Sequence, residues 1–230
     1  MITMNPRPGT LDPELVANYQ SISPATLGHA LDTAMDPSIR ALWRPVHIAG
    51  TALTVRTDRD LFAAVHEVIK IAQPGDILVV SSAPDNQHAV TGEFTLRTAQ
   101  EYGIAGLVID GLMADGRALE GMSFPVFCRG SSPGLLSAVP RPSAEQEAQI
   151  NVTVQIGGVT VNPGDLILAD DDGVLVATPE DAKLYIHSCQ KMEDGEAYAR
   201  SQLATGKTLT AIRQEMNAAG TPLSVFQHPR

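Results

Sequence analysis

PGDILVVSSAPDNQHAVTGEFTLRTAQEYGIAGLVIDG, residues 74–111, decides the fold. Gln73-Pro74-Gly75-Asp76 is a turn, and the unbroken apolar run 77–80 behind it predicts a strand buried on both faces. A polar loop from Ser81 to Thr91 follows. Gly92-Glu93 then opens a helix that ends near Gly103, a glycine suited to the position after a helix terminus. Residues 104–109 (IAGLVI) form a second buried strand, which runs out at Asp110-Gly111 into the loop LMADGRALEG (112–121). Strand, loop, helix, strand, loop is a βαβ unit, and ligands in open α/β sheets sit beyond the carboxyl ends of such strands. Function is therefore sought in residues 81–117.

The elements on either side fit the same class. Ser23 before Pro24 predicts a capped helix over 24–35. HIAGTALTV (47–55) reads as a strand with Gly50 at a bulge or a close backbone approach, and Leu61, Val65, Ile69 and Ala72 carry helical spacing. Residues 150–177 read as short strands parted by Gly157-Gly158, Asn162-Pro163-Gly164 and Asp170-Asp171-Asp172-Gly173. Thr178-Pro179-Glu180-Asp181 is a capping box that starts a helix running to about 203. A last helix covers 208–219 and stops at Gly220, with an exposed tail after Pro222. The expectation is one α/β domain over 1–230, its core at 25–195 and a helical extension at 196–230.

Composition removes several classes. The chain has 230 residues, 43% of them apolar, a net charge of −10 and no Lys/Arg cluster, so direct binding to nucleic acid is not expected. Cys128 and Cys189 stand far apart, with no zinc or disulfide pattern. No apolar run reaches membrane-spanning length and the first residues lack a signal-peptide core, so a soluble, cytoplasmic protein is expected. Gly206-Lys207-Thr208 lacks the upstream glycine of a phosphate loop, since Ser201 stands there, and no GxGxxG or GxSxG follows a strand. The six histidines show no metal-ligand spacing, and Asp170–Gly173 reads as a turn rather than a calcium loop.

One constellation carries chemistry: Gly92-Glu93, twenty residues, then Ala114-Asp115. The helix after Gly92 begins with the N–H groups of Glu93, Phe94 and Thr95, a cradle for a substrate carboxylate. Asp115, beyond the neighbouring strand, can hold a hard divalent cation whose other positions are filled by water. The plainer readings are that Glu93 is a first-turn acid pairing with Arg97, and that Asp110 and Asp115 are turn formers.

At these residues the sequence resembles the RraA-like family of keto-acid aldolases and ribonuclease regulators. The matching segments are PGDILVV (74–80), AVTGE (89–93), GIAGLVIDG (103–111), SFPVFCRG (123–130) and NPGDLILADDDGVLV (162–176). The resemblance implies a three-layer α/β/β swivelling-domain fold and a trimer or hexamer with sites between subunits. It also implies a divalent-metal-dependent lyase, with Mg²⁺ or Mn²⁺, acting on a small 2-oxo acid that bears a second carboxylate or hydroxyl. Oxaloacetate decarboxylation is a related activity. Asp115 would then support the metal, with Asp115, Glu93 and Arg117 as candidate catalytic residues and Gly92, Glu93, Phe94, Thr95 and Ala114 around the substrate. The family's aldolase signature has arginine where this chain has Ala114, so Arg117 or Arg97 is the candidate replacement. The alternatives are a protein-binding regulator, or a rebuilt pocket with another reaction. A neighbouring chain's acid completes the metal's surroundings in the family, and Glu193, Asp194 and Glu196 are the candidates here.

Overall fold

The run 77–80 lies at the heart of a nine-stranded sheet in the computed structural model, which describes residues 2–58, 62–82, 87–139 and 148–221, together with 223 and 226. His228 and most of the tail after Pro222 fall outside the described residues. The sheet runs Ile2–Met4, Ala148–Ile150, His47–Thr57, Asp76–Ser82, Gly106–Ile109, Val126–Cys128, Arg40–Ala41. From His47–Thr57 to Val126–Cys128 the pairing is parallel, as the βαβ reading requires. The amino-terminal half of His47–Thr57 also pairs antiparallel with Leu166–Asp170, which forms a hairpin with Gly173–Ala177.

Alternation along the central strands builds two cores. Leu78, Val80, Leu107 and Ile109 face Val65, Val68, Leu96, Ala99 and Leu119, residues of the helices Phe62–Val68, Glu93–Glu101 and Gly116–Gly121. Ile77, Val79 and Val108 face the other way, against Val154, Ile156 and Val161 of a short hairpin and Ile167, Ala169, Val174 and Val176 of the longer one. Helices, sheet and a second β layer are thus stacked as the α/β/β class demands. Leu166, Leu168, Leu175 and Ala177, on the outer face of the longer hairpin, pack under Leu15, Tyr19 and Leu27 and under Ala182, Ile186 and Cys189 of the helix Pro179–Ala204.

Gly50 is a close approach and not a bulge: its strand keeps regular register on both sides, and a Cβ there would lie 2.3 Å from the Gly75 carbonyl oxygen. Thr178 caps Pro179–Ala204 by accepting from the Asp181 N–H, and the helix crosses the expected boundary at 195. Leu209–Ala218 ends before Gly220, at φ 74°.

Three expectations need correction. The helix expected over 24–35 is a four-residue turn of helix, Pro24–Leu27. Beyond it the chain pairs with the hairpin, Met35 N–H donating to the Val174 carbonyl and Val176 N–H to the Thr33 carbonyl, so sheet bonding overrides helical spacing. The helix Pro13–Tyr19 was not expected, although Asp12 and Pro13 are its cap and first position. Residues 89–91, expected as loop, form a strand in a small parallel sheet with Leu112–Met113 and Gly130–Ser131.

Candidate active site

That small sheet fixes the site, because it prolongs the central strands at their carboxyl ends. The chain leaves Gly106–Ile109 through Asp110-Gly111 to reach Leu112–Met113, and leaves Val126–Cys128 through Arg129 to reach Gly130–Ser131. Asp110 is consumed in holding this junction. Its carboxylate takes the Arg129 guanidinium and the Gly157 N–H, and its carbonyl takes the Ser82 hydroxyl at 2.6 Å. Arg129 is held fully charged by that contact, which raises its pKa.

Ala89–Thr91 delivers Gly92 to the start of Glu93–Glu101, and Leu112–Met113 delivers Asp115 to the start of Gly116–Gly121. Asp115 adopts the left-handed conformation, φ 59°, which aspartate tolerates better than most residues. Its side chain makes no capping bond to its own helix. Asp115 Oδ2 instead accepts from the Glu93 N–H at 3.0 Å, so the acid caps the neighbouring helix. Gly92 has no side chain because that carboxylate passes where its Cβ would be, 2.3 Å from Oδ2.

Asp115 and residues 91–95 line one open cleft of about 410 Å³, with Ala89, Val90, Leu135 and Ser137 as the rest of its wall among the described residues. Of the three helix-start amides expected to be free, Glu93's is taken by Asp115. Those of Phe94 and Thr95 find no acceptor among the described residues. Asp115 Oδ1 is likewise without a partner among them. Thr91 is 6% exposed and its hydroxyl is buried without a hydrogen-bond partner.

The other candidates are placed differently. The Glu93 carboxylate pairs with Arg97 at 2.7 Å, which occupies both side chains. Ala114 is buried behind Gly92, its N–H donating to the Thr91 carbonyl. Arg117 is exposed, meets no partner among the described residues and does not line the cleft. Leu135, Ser137 and Thr91 were missed by sequence reasoning. Thr91 carried a signal, standing next to Gly92, whereas Leu135 and Ser137 belong to a distant segment brought to the cleft by the bridge Ala89–Leu135 and by the Ala89 N–H donating to the Gly134 carbonyl.

The donor set suits one kind of metal. No group of three His, Cys, Asp or Glu gathers among the described residues, which leaves no zinc-type cage. One carboxylate with a spare oxygen beside an anion cradle fits Mg²⁺ or Mn²⁺, which takes one or two carboxylates and completes its shell with water and ligand oxygens.

The model of the family described as RraA-like, Aldolase/RraA, matches residues 22–176. A protein of Halalkalibacterium halodurans named "Putative 4-hydroxy-4-methyl-2-oxoglutarate aldolase" is 32% identical over 203 residues, covering 87% of this chain and 92% of that one. Among solved structures, Streptomyces coelicolor RraAS2, an unusual member of the RNase ES inhibitor RraA protein family, is 27% identical with a TM-score of 0.70, covering 84% of this chain and 99% of that one. An uncharacterized Pseudomonas syringae protein shares the fold, at 22% identity and a TM-score of 0.75 over 90% of this chain and 100% of that one. The cleft between Gly92 and Asp115 thus falls inside the matched region, and the chain belongs to the RraA-like family.

Proposed function

We propose that this chain is a divalent-metal-dependent carbon–carbon lyase acting on a small 2-oxo acid, with Mg²⁺ or Mn²⁺. The single observation that carries the reading is the 3.0 Å bond from Glu93 N–H to Asp115, which brings the carboxylate and the helix start into one cleft. Asp115 would hold the cation, which supplies Lewis acidity to the 2-oxo group when bound. The Phe94 and Thr95 N–H groups bind the substrate carboxylate and fix its orientation. Cleavage between C3 and C4 leaves the electron pair on C3, the C4 hydroxyl gives up its proton as it becomes a carbonyl, and C3 takes a proton to give pyruvate. Oxaloacetate would lose CO₂ by the same movement of electrons.

The protein works as a trimer or hexamer in this reading, and an acid of the neighbouring chain adds to the metal's surroundings. Glu193 accepts from Ser23 N–H and the Thr26 hydroxyl, and Glu196 pairs with Arg200 at 3.1 Å. Of the three expected donors, Asp194 is the one left without a partner among the described residues.

The test is pyruvate release from a panel of 4-hydroxy-2-oxo acids and oxaloacetate, with and without Mg²⁺ or Mn²⁺. We expect metal-stimulated release that Asp115→Asn lowers by roughly 10²-fold or more. One observation favours a second reading, a protein-binding regulator: alanine occupies the signature arginine's position and no arginine among the described residues lines the cleft. Absence of release from the whole panel, in the native chain and in Ala114→Arg, would reject the lyase and leave the regulator.

A further inference from the structure

We infer that the ion pair between Asp110 and Arg129 positions the Asp115 carboxylate for metal binding, although neither residue of the pair lines the cleft. The inference rests on the proposed lyase reading and names positioning residues for that same site. Two strands of the small sheet continue from the central sheet, one through Asp110-Gly111 and the other through Arg129, so each partner of the pair stands in one of the two connections. Main-chain bonds gather at the same place. Asp110 N–H donates to the Val80 carbonyl at 3.0 Å, Arg129 N–H to the Gly111 carbonyl at 3.0 Å and Ser132 N–H to the Met113 carbonyl at 2.9 Å. Only Ala114 separates Met113 from Asp115, and its own N–H is held by the Thr91 carbonyl at 2.9 Å. A shift at the Asp110 junction therefore reaches Asp115 with little chain to absorb it.

The pair is braced from outside the small sheet as well. The Arg129 guanidinium also donates to the Ser38 hydroxyl and lies 3.8 Å from the Asp36 carboxylate. The second carboxylate oxygen of Asp110 accepts from the Gly157 N–H at 3.1 Å, and the Gly157 carbonyl accepts from the Asp36 N–H at 2.8 Å. Gly157 is buried in the turn of the short hairpin, where a Cβ would lie 2.8 Å from the Met35 Cβ. Both connections are thus fixed against the second β layer and against residues 36–38, parts of the chain distant in sequence. A partly exposed ion pair adds little stability by its charge alone. The value of this one is geometric, because the planar guanidinium directs several donors at once and a metal-holding carboxylate is sensitive to the groups that orient it.

The experiment compares variants of the full chain by Mn²⁺ affinity, read from the paramagnetic resonance signal of the free ion, and by Mn²⁺-stimulated pyruvate release from the same panel of oxo acids. We expect Arg129→Met and Asp110→Asn each to weaken Mn²⁺ binding about tenfold and to lower turnover by roughly 10²-fold. Arg129→Lys keeps the charge and loses the planar fork, so it should fall between Arg129→Met and the native chain, and it serves if the methionine variant does not fold. Arg7→Met is the stability control. It breaks the more deeply buried pair with Asp76 at the amino end of the strand Asp76–Ser82, away from the cleft, and should leave Mn²⁺ affinity native. Native Mn²⁺ affinity in the folded Arg129 and Asp110 variants overturns the inference and leaves the lyase reading standing. An equal loss of affinity in Arg7→Met overturns it too, since destabilisation alone then accounts for the effect. A native chain that neither binds Mn²⁺ nor releases pyruvate overturns both readings together.

Discussion

Replacing Gly92 with alanine tests the site without disturbing the fold. The backbone there, at φ −148° and ψ −164°, is extended, so alanine adds no strain of its own. Its Cβ would meet Asp115 Oδ2 at 2.3 Å and Asp115 Cγ at 3.3 Å. The carboxylate must retreat by about 1 Å to reach ordinary contact, and the bond to Glu93 N–H is lost. Losing a helix cap at an exposed site costs about 1 kcal/mol, or roughly 2–4 °C in Tm for a chain of this size. Misplacing a catalytic group by about 1 Å is far more damaging, on the order of 10²-fold in rate. The expected signature is therefore a small thermal shift with a large loss of metal-stimulated pyruvate release. Gly121→Ala is the control, because a Cβ there meets nothing within 4 Å, and it should leave both quantities unchanged. A Gly92→Ala protein with native turnover and native metal dependence would show that the position of the Asp115 carboxylate is immaterial.

Gly50→Ala should act on stability instead. Its Cβ would meet the Gly75 carbonyl oxygen at 2.3 Å and the Ile77 side chain at 2.9 Å, and backbone in the central sheet cannot give way, so a loss of about 3 kcal/mol is expected from urea unfolding. Arg7→Met strands the buried Asp76 carboxylate, which otherwise receives the Arg7 guanidinium and the Gln73 N–H. A loss of about 3 kcal/mol should be partly recovered by adding Asp76→Asn, and undiminished stability in the single variant would reject the assignment. Burial pushes the Cys128 thiol up to about 11 and the Cys189 thiol up to about 12, so Ellman's reagent at pH 8 should label neither until the protein is unfolded.

Where a sequence signal is local, the structure follows it closely. Thr178 caps its helix through its own hydroxyl as its capping box requires, and the apolar runs at 77–80 and 104–109 are buried because helices and hairpins cover the two sides of the sheet. Signals that depend on partners distant in the chain were not legible. Ala89–Thr91 is a three-residue strand, too short to show a period, and it exists because Leu112–Met113 lies beside it. Residues 33–35 had helical context and were claimed by the hairpin. The apolar half of the cleft wall, Leu135 above all, belongs to a segment placed by partners distant in the chain, with the Ala89 N–H donating to the Gly134 carbonyl and the Ser132 N–H to the Met113 carbonyl.

The spacing between Gly92-Glu93 and Asp115 was visible in the sequence, but its meaning lies in a dihedral angle. An aspartate at the first position before a helix ordinarily caps that helix. With φ at 59°, Asp115 gives up that bond and its carboxylate reaches the start of the helix that follows Gly92. The exchange requires two parallel strands, Ala89–Thr91 and Leu112–Met113, to bring both helix starts to one edge, and a residue without Cβ where the carboxylate crosses. Glycine, left-handed aspartate and paired strands are therefore parts of one device. A substitution in any of them should be felt first in the cleft and later, if at all, in the core.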